Sequence, residues 1–118
     1  MILVDTSVWV DHLRYGNARL GHLLIDGEAT IHPFVMGELA CGHLTKRSEI
    51  LSLLKTLPSL EVAQDDEVLR LIDSHKLFGR GLGWVDVHLL TSAVLAQLPI
   101  WSLDKALMRS ASTIGLST

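Results

Sequence analysis

Four carboxylates in this chain stand without charged company. Asp5 is the only charge in the first ten residues, and Glu38 is the only formal charge between His32 and Leu44. Asp86 is the only one from Gly81 to Leu103, and Asp104 closes the apolar run that begins at Ile100. An ionised carboxylate in apolar surroundings is costly unless something pairs with it. The basic residues nearest in sequence are poorly placed: Lys46 and Arg47 lie far along from Glu38, and Lys105 should point away from its neighbour Asp104. Gathered in one pocket, the acids would repel one another by roughly 3 kcal/mol per pair at ~5 Å and an effective dielectric of about 20. A hard divalent cation removes that penalty, and an all-oxygen donor set selects Mg²⁺ or Mn²⁺ over zinc. Such an ion lowers the pKa of an attacking water and neutralises a phosphodiester during its cleavage. The chemistry expected is therefore metal-assisted phosphodiester hydrolysis.

Each acid has a plainer reading when taken singly. Asp5 could accept amide hydrogen bonds from a following helix, Asp104 could be a helix N-cap, and Asp86 could sit in a first turn favoured by the helix dipole. Glu38, in mid-helix, has no cap to make. One shared site accounts for all four together.

The elements that must position these acids alternate between strand and helix. Ile2-Leu3-Val4 reads as a strand buried on both faces, followed by a helix over about 8–14 capped by Thr6 or Ser7 and ended near Gly16. Asn17 starts a second helix that Gly27 stops; Ala29-Thr30-Ile31 is a second strand. Pro33 suits the first turn of a helix running to about Leu44, and the apolar stripe from Arg47 to Leu57 makes another. Leu60-Glu61-Val62 is a third strand, and Asp65 or Asp66 heads a helix to about Phe78. A long helix over about 85–97, a fourth strand near Ile100-Trp101 and a last helix from Asp104 complete the series, with a small edge strand at Ile114 to Leu116. Such alternation implies a mainly parallel sheet of four to five strands covered on both faces, because parallel neighbours need crossover connections. In these folds the site lies beyond the carboxyl ends of the strands, where the strand order switches.

Composition bounds the function. A chain of 118 residues fits one domain, 1–118. With 48% apolar and 19% charged residues it is no disordered chain, and some apolar surface is expected to meet a partner. The net charge of -3 excludes a non-specific nucleic-acid coater, so any nucleic-acid contact must be local. The single cysteine, Cys41, excludes an internal disulfide and a multi-cysteine zinc site and suits a reducing compartment. The opening residues have no basic leader, and the apolar stretch 81–103 reads as a buried helix and strand, so a cytoplasmic protein with no membrane span is expected.

Four segments carry a resemblance to a known family: Ile2-Leu3-Val4-Asp5-Thr6-Ser7-Val8-Trp9, Gly37-Glu38-Leu39, Trp84-Val85-Asp86 and Trp101-Ser102-Leu103-Asp104-Lys105. In order and approximate spacing they resemble the PIN-domain nucleases, and among these the small VapC toxins of toxin–antitoxin pairs. The resemblance covers the whole chain; the aspartate-threonine-serine opening is its most specific part. It implies a three-layer α/β/α fold and an acidic pocket of Asp5, Glu38, Asp86 and Asp104 holding one or two Mg²⁺ or Mn²⁺ ions. It also implies endoribonuclease activity on structured RNA such as tRNA or ribosomal RNA, a homodimer, and silencing by a cognate antitoxin whose tail crosses the site. Thr6 or Ser7 would supply a hydroxyl near the pocket. Ser102, where many relatives have threonine, keeps the hydroxyl and loses a methyl.

Among the basic residues that could touch an RNA backbone, including Arg14, Lys46 and Arg47, Arg80 and Lys105 are preferred because they lie closest in sequence to the pocket motifs. The six histidines form no metal-binding pattern and read as ordinary surface or core positions. Trp9, Trp84 and Trp101 flank apolar runs and read as core or interface, and Cys41 as buried packing. The glycines at 79, 81 and 83 form a mobile connection rather than a phosphate loop. A phosphoacceptor receiver would want paired acids after its first strand, and a D-x-D phosphatase fails because Ser7 holds the second position. The remaining competitor is a catalytically silent module that uses its acids to hold a basic partner tail.

Overall fold

A computed structural model describes all 118 residues. Strand β1 (Ile2–Val4) lies at the centre of a parallel three-stranded sheet, between β2 (Ala29–Thr30) and β3 (Ile100–Trp101). Successive side chains of a strand point to opposite faces. Leu3 and Val4 are both fully buried, so the sheet is covered on both sides. Seven helices provide that cover: α1 (Thr6–Tyr15), α2 (Ala18–Ile25), α3 (Pro33–Cys41), α4 (Arg47–Leu54), α5 (Asp65–Ser74), α6 (Trp84–Ala96) and α7 (Lys105–Thr113). No helix is long and apolar enough to cross a membrane.

The sheet has three strands, not four to five. Neither Leu60–Val62 nor Ile114–Leu116 is a strand: isolated bridges fall one residue outside each, Ile31 with Ser59 and Ile100 with Ser117, and Ile114 and Gly115 form a turn after α7. The reason lies in the side chains: Glu61 and Val62 are exposed, so this run does not have the two buried faces that a central strand needs. Three helices also end early, at Cys41, Leu54 and Ser74.

Local chemistry accounts for most helix starts. Asn17 caps α2 by accepting the Leu20 N–H at 3.0 Å, and Asp104 caps α7 by accepting the Leu107 N–H at 2.9 Å. Pro33 occupies the first turn of α3, and His32 caps it by accepting the Phe34 N–H on Nδ1 at 2.9 Å. Helix α1 begins differently from expectation. Its N-cap is Asp5, whose side chain makes no capping bond, and the hydroxyls of Thr6 and Ser7 are engaged elsewhere.

The core runs from β1 and β3 into α1, α6 and α7, through Val8, Trp9, Leu89, Leu90, Ile100 and Leu107. Helix α6 is buried from Val87 to Ala93, which explains why its sequence shows so little charge. Trp9 and Trp101 are core residues as expected, whereas Trp84 is 45% exposed. Two histidines are interior. His32 sits in a chain of hydrogen bonds in which its Nε2 meets the Ser92 hydroxyl at 3.1 Å and that hydroxyl donates to the Glu61 carbonyl at 2.8 Å. His88 packs against Phe34 and Trp84, and neither of its ring nitrogens makes a hydrogen bond.

Candidate active site

The strand order β2-β1-β3 puts the switch point at the carboxyl end of β1, and Asp5 is the residue that follows it. Asp5 is buried and carries two short hydroxyl contacts on one oxygen. Ser7 Oγ donates to Asp5 Oδ2 at 2.9 Å and Ser102 Oγ donates to the same atom at 2.6 Å. Each hydroxyl in turn accepts a backbone N–H, Ser7 from Leu103 and Ser102 from Asp104, both at 2.9 Å. Both hydroxyls therefore have their protons committed to the carboxylate. Ser102 lies just beyond β3, so this lattice also ties the ends of the two strands together.

The other three acids are held by the same economy of contact. Thr6 Oγ1 donates to Glu38 Oε1 at 2.7 Å, reaching from α1 to α3. The Gly83 N–H donates to Asp86 Oδ2 at 2.9 Å, and the Leu107 N–H to Asp104 Oδ1. In every case one carboxylate oxygen is fixed by the protein. The second oxygen of each of the four makes no hydrogen bond and no ion pair within the chain.

Electrostatics brings the four into one field. Burial pushes the Asp86 carboxyl up from the ordinary aspartate range; the Gly83 N–H opposes this, and the charges of Asp5, Asp104 and Glu38 each push it further up. No Lys or Arg is paired with any of them. The chain thus draws together the four acids singled out from sequence. Asp5 is buried, Asp86 half-buried, and Glu38 and Asp104 exposed at the rim.

This donor set fits a hard divalent ion in one particular way. It is all oxygen, it is negatively charged, and each acid presents one free oxygen. No three His, Cys, Asp or Glu side chains stand close enough together to enclose an ion by themselves. An anionic, all-oxygen donor set is the chemistry of a hard divalent ion such as Mg²⁺, which takes one or two carboxylates and keeps several waters.

The raised Asp86 carboxyl has a consequence for stability. A folded-state pKa above the unfolded value means the native protein binds the proton more readily, so the ionised side chain destabilises the fold at neutral pH and is relieved as pH falls. Asp86→Asn removes the charge and can still accept the Gly83 N–H. In metal-free buffer the variant is expected to melt above the parent protein at pH 7, as thermal unfolding by circular dichroism would show; a lower melting temperature would contradict the repulsion.

Of the remaining expectations, Arg80 and Lys105 are both exposed and unpaired. The loop carrying Arg80 approaches α7, since a Cβ on Gly81 would lie 3.8 Å from that of Ala106. Cys41 is exposed, not buried. It shares with Gly37 and Glu38 the face of α3 that is turned away from the core, a face whose small uncharged residues gave no sign of solvent. Sequence reading also passed over a concavity between α1 and α3, lined by Arg14, Tyr15, Glu38 and His43 among others, because no local pattern encodes a cleft between two helices.

No family model matches the chain. Its fold, however, is shared with solved structures. A toxin–antitoxin complex from Klebsiella pneumoniae superposes with a TM-score of 0.67 at 20% identity, over 88% of this chain and 87% of that one. PAE2754 from Pyrobaculum aerophilum gives 0.68 at 20% identity over 92% and 83%, and FitAcB from Neisseria gonorrhoeae 0.66 at 18% over 95% and 94%. Together these show the α/β fold that the chain shares with them. In sequence the chain is 48% identical to ribonuclease VapC32 of Mycobacterium tuberculosis, strains CDC 1551 / Oshkosh and ATCC 25618 / H37Rv, across 99% of this chain and 95% of the relative. The chain belongs to the VapC family of PIN-domain toxins.

Proposed function

We propose that this protein is a toxin endoribonuclease that hydrolyses phosphodiester bonds of structured RNA, tRNA or ribosomal RNA, with Mg²⁺ or Mn²⁺ at the Asp5–Glu38–Asp86–Asp104 cluster. The observation that carries the reading is the pairing of one fixed and one free oxygen on each of four unpaired acids. Family membership beside a relative named as a ribonuclease supports it.

Asp5 and Asp86 would hold the principal ion, with Glu38 and Asp104 reaching it directly or through water. Bound there, the ion supplies charge neutralisation at the phosphodiester and a lowered pKa for the attacking water. The rest is done by the chain. Ser7 and Ser102 lock Asp5 by taking up Oδ2, which leaves Oδ1 as its outward donor. Thr6 does the same for Glu38, and the Gly83 N–H for Asp86. Because these contacts exist before substrate arrives, little reorganisation is left for the reaction itself. Arg80 and Lys105, both exposed and unpaired, would take RNA phosphates. The partners of this reading are an antitoxin, matching the toxin–antitoxin complex among the fold neighbours, and a second copy of the chain in a cytoplasmic homodimer.

Cleavage of total tRNA and ribosomal RNA with added Mg²⁺, and its loss with EDTA, tests the activity. Metal binding is tested without turnover. At an ion concentration ten times the dissociation constant, stability should rise by about 1.4 kcal/mol, or about 6 °C in melting temperature. Mg²⁺ or Mn²⁺ should produce that shift in the parent protein and not in Asp86→Asn. No metal-dependent cleavage of any RNA by a protein with its four acids intact would leave the module that holds a basic partner tail instead.

A further inference from the structure

Beside the acids, α1, α3, the loop after α3 and the first turn of α4 enclose a concavity of about 470 Å³. Its floor is apolar: Val10, Leu13, Leu39, Leu44 and Ile50. Its volume falls in the range of small-molecule sites. Glu38 belongs both to this concavity and to the acid cluster, so the two spaces are continuous. From Thr6, which holds Glu38, helix α1 runs about 12 Å to Arg14 and Tyr15 at the far wall.

That far wall is equipped unlike the acid end. Tyr15 is 80% exposed, and its ring and hydroxyl are free. Arg14 and His43 are exposed and make no ion pair or side-chain hydrogen bond. Arg47 comes to the same rim, with Nη1 at 3.4 Å from the Gly42 carbonyl. The backbone N–H groups of His43, Leu44 and Thr45 donate to nothing within the chain. An apolar floor, a free aromatic ring, unspent backbone donors and a cationic rim are what a nucleoside needs: a surface for the base, groups for its edge and a charge for its phosphate.

We propose that this concavity is a nucleoside subsite, which takes one unpaired base of the RNA strand beside the phosphate held at the acids; the proposal rests on the nuclease reading above. Tyr15 stacks on the base, the amides of residues 43–45 meet its edge, and Arg14 and Arg47 hold the adjoining phosphate. Charge decides between occupants. A basic peptide tail would be drawn to the acids but repelled by this rim, whereas a polyanion is attracted by the rim and needs its charge neutralised only at the acids. The subsite sets which base flanks the cut.

Two measurements test this on the whole protein. In the first, labelled protein is titrated with AMP, GMP, CMP and UMP separately and followed by amide NMR. At least one should give saturable shifts at Tyr15 and residues 43–45, weakened by Tyr15→Ala; no shifts there with any of the four overturns the subsite. In the second, cut ends from a random-sequence RNA pool are sequenced. The parent protein should show a base preference next to the cut. Tyr15→Ala and Arg14→Ala should flatten it and raise KM about tenfold with kcat within about twofold, while Tyr15→Phe keeps both. Unchanged preference and KM in the alanine variants, or a defect confined to binding of a protein partner, overturns the proposal. The titration needs no turnover, so saturable nucleotide binding in a protein that cuts nothing would sink the nuclease reading and leave the subsite standing. Both alanine changes lie on exposed positions, so the fold is not at issue.

Discussion

Replacing Asp5 by Asn is expected to cut RNA cleavage by on the order of 10²–10³-fold, the loss of several kcal/mol of charge stabilisation. The side chain is isosteric, and its amide oxygen can still accept from Ser7 and Ser102 in place of Oδ2. What disappears is the charge, at the one acid that is buried and fixed by two hydroxyls. The fold should survive, so far-ultraviolet circular dichroism should be unchanged while single-turnover cleavage falls. Ser102→Ala separates anchoring from charge. It keeps the carboxylate and removes the 2.6 Å contact, so its loss of rate should be real but well short of that of Asp5→Asn. Equal cleavage by Asp5→Asn and the parent protein would remove the acid cluster from the chemistry.

Acid should unfold this protein through His32. The side chain is fully buried, and its pKa is lowered from 6.5 to about 4, by burial first and by the His88 charge second. Its hydrogen bonds agree with a neutral ring, since Nδ1 accepts the Phe34 N–H and only Nε2 is left to carry a proton towards Ser92. A folded pKa below the unfolded one means the unfolded chain binds more protons. Stability is therefore complete above pH 6.5 and is lost as pH falls from 6.5 towards 4, by about 3 kcal/mol in total. Urea unfolding at steps between pH 7 and pH 4.5 reads this directly. His32→Asn can still cap α3 but does not titrate, so it should start lower at pH 7 and lose less on acidification. Parallel pH profiles for the two proteins would show that another group governs acid unfolding. Asp86 works in the opposite sense over the acid range, because its raised carboxyl pKa favours the fold as it gains a proton.

The four acids were more legible in the sequence than the sheet that carries them. Isolated acids are visible because burial selects against charge in their neighbours: the whole run from Val87 to Ala93 is buried, and Asp86 stands out just before it. The hydroxyls were visible only as candidates. Which carboxylate each serves depends on α1 starting at Thr6, so that Thr6 faces Glu38 while Ser7 turns towards Asp5 and Ser102. The strand count was overread because three apolar or mixed residues look alike in a ladder and beside an isolated bridge, as at 60–62 next to Ser59 and 114–116 next to Ser117. Cys41 was misplaced for a related reason: small uncharged residues carry no mark of which helix face meets water. The concavity beside Glu38 had no signal at all, since its walls come from segments some thirty residues apart.

Asp86 rides on the first turn of the most deeply buried helix, and Asp5 follows the central strand. Segments of that kind open only when the whole domain does, so exchange of the Asp5 amide, which donates to the Trp101 carbonyl at 2.9 Å, and of the buried α6 amides that follow Asp86 should proceed through global unfolding, while Glu38 and Asp104 follow local fluctuations. A reactive centre welded into the last part of a molecule to come apart has no internal way to relax into harmlessness. Restraint has to be delivered by another molecule that covers the opening.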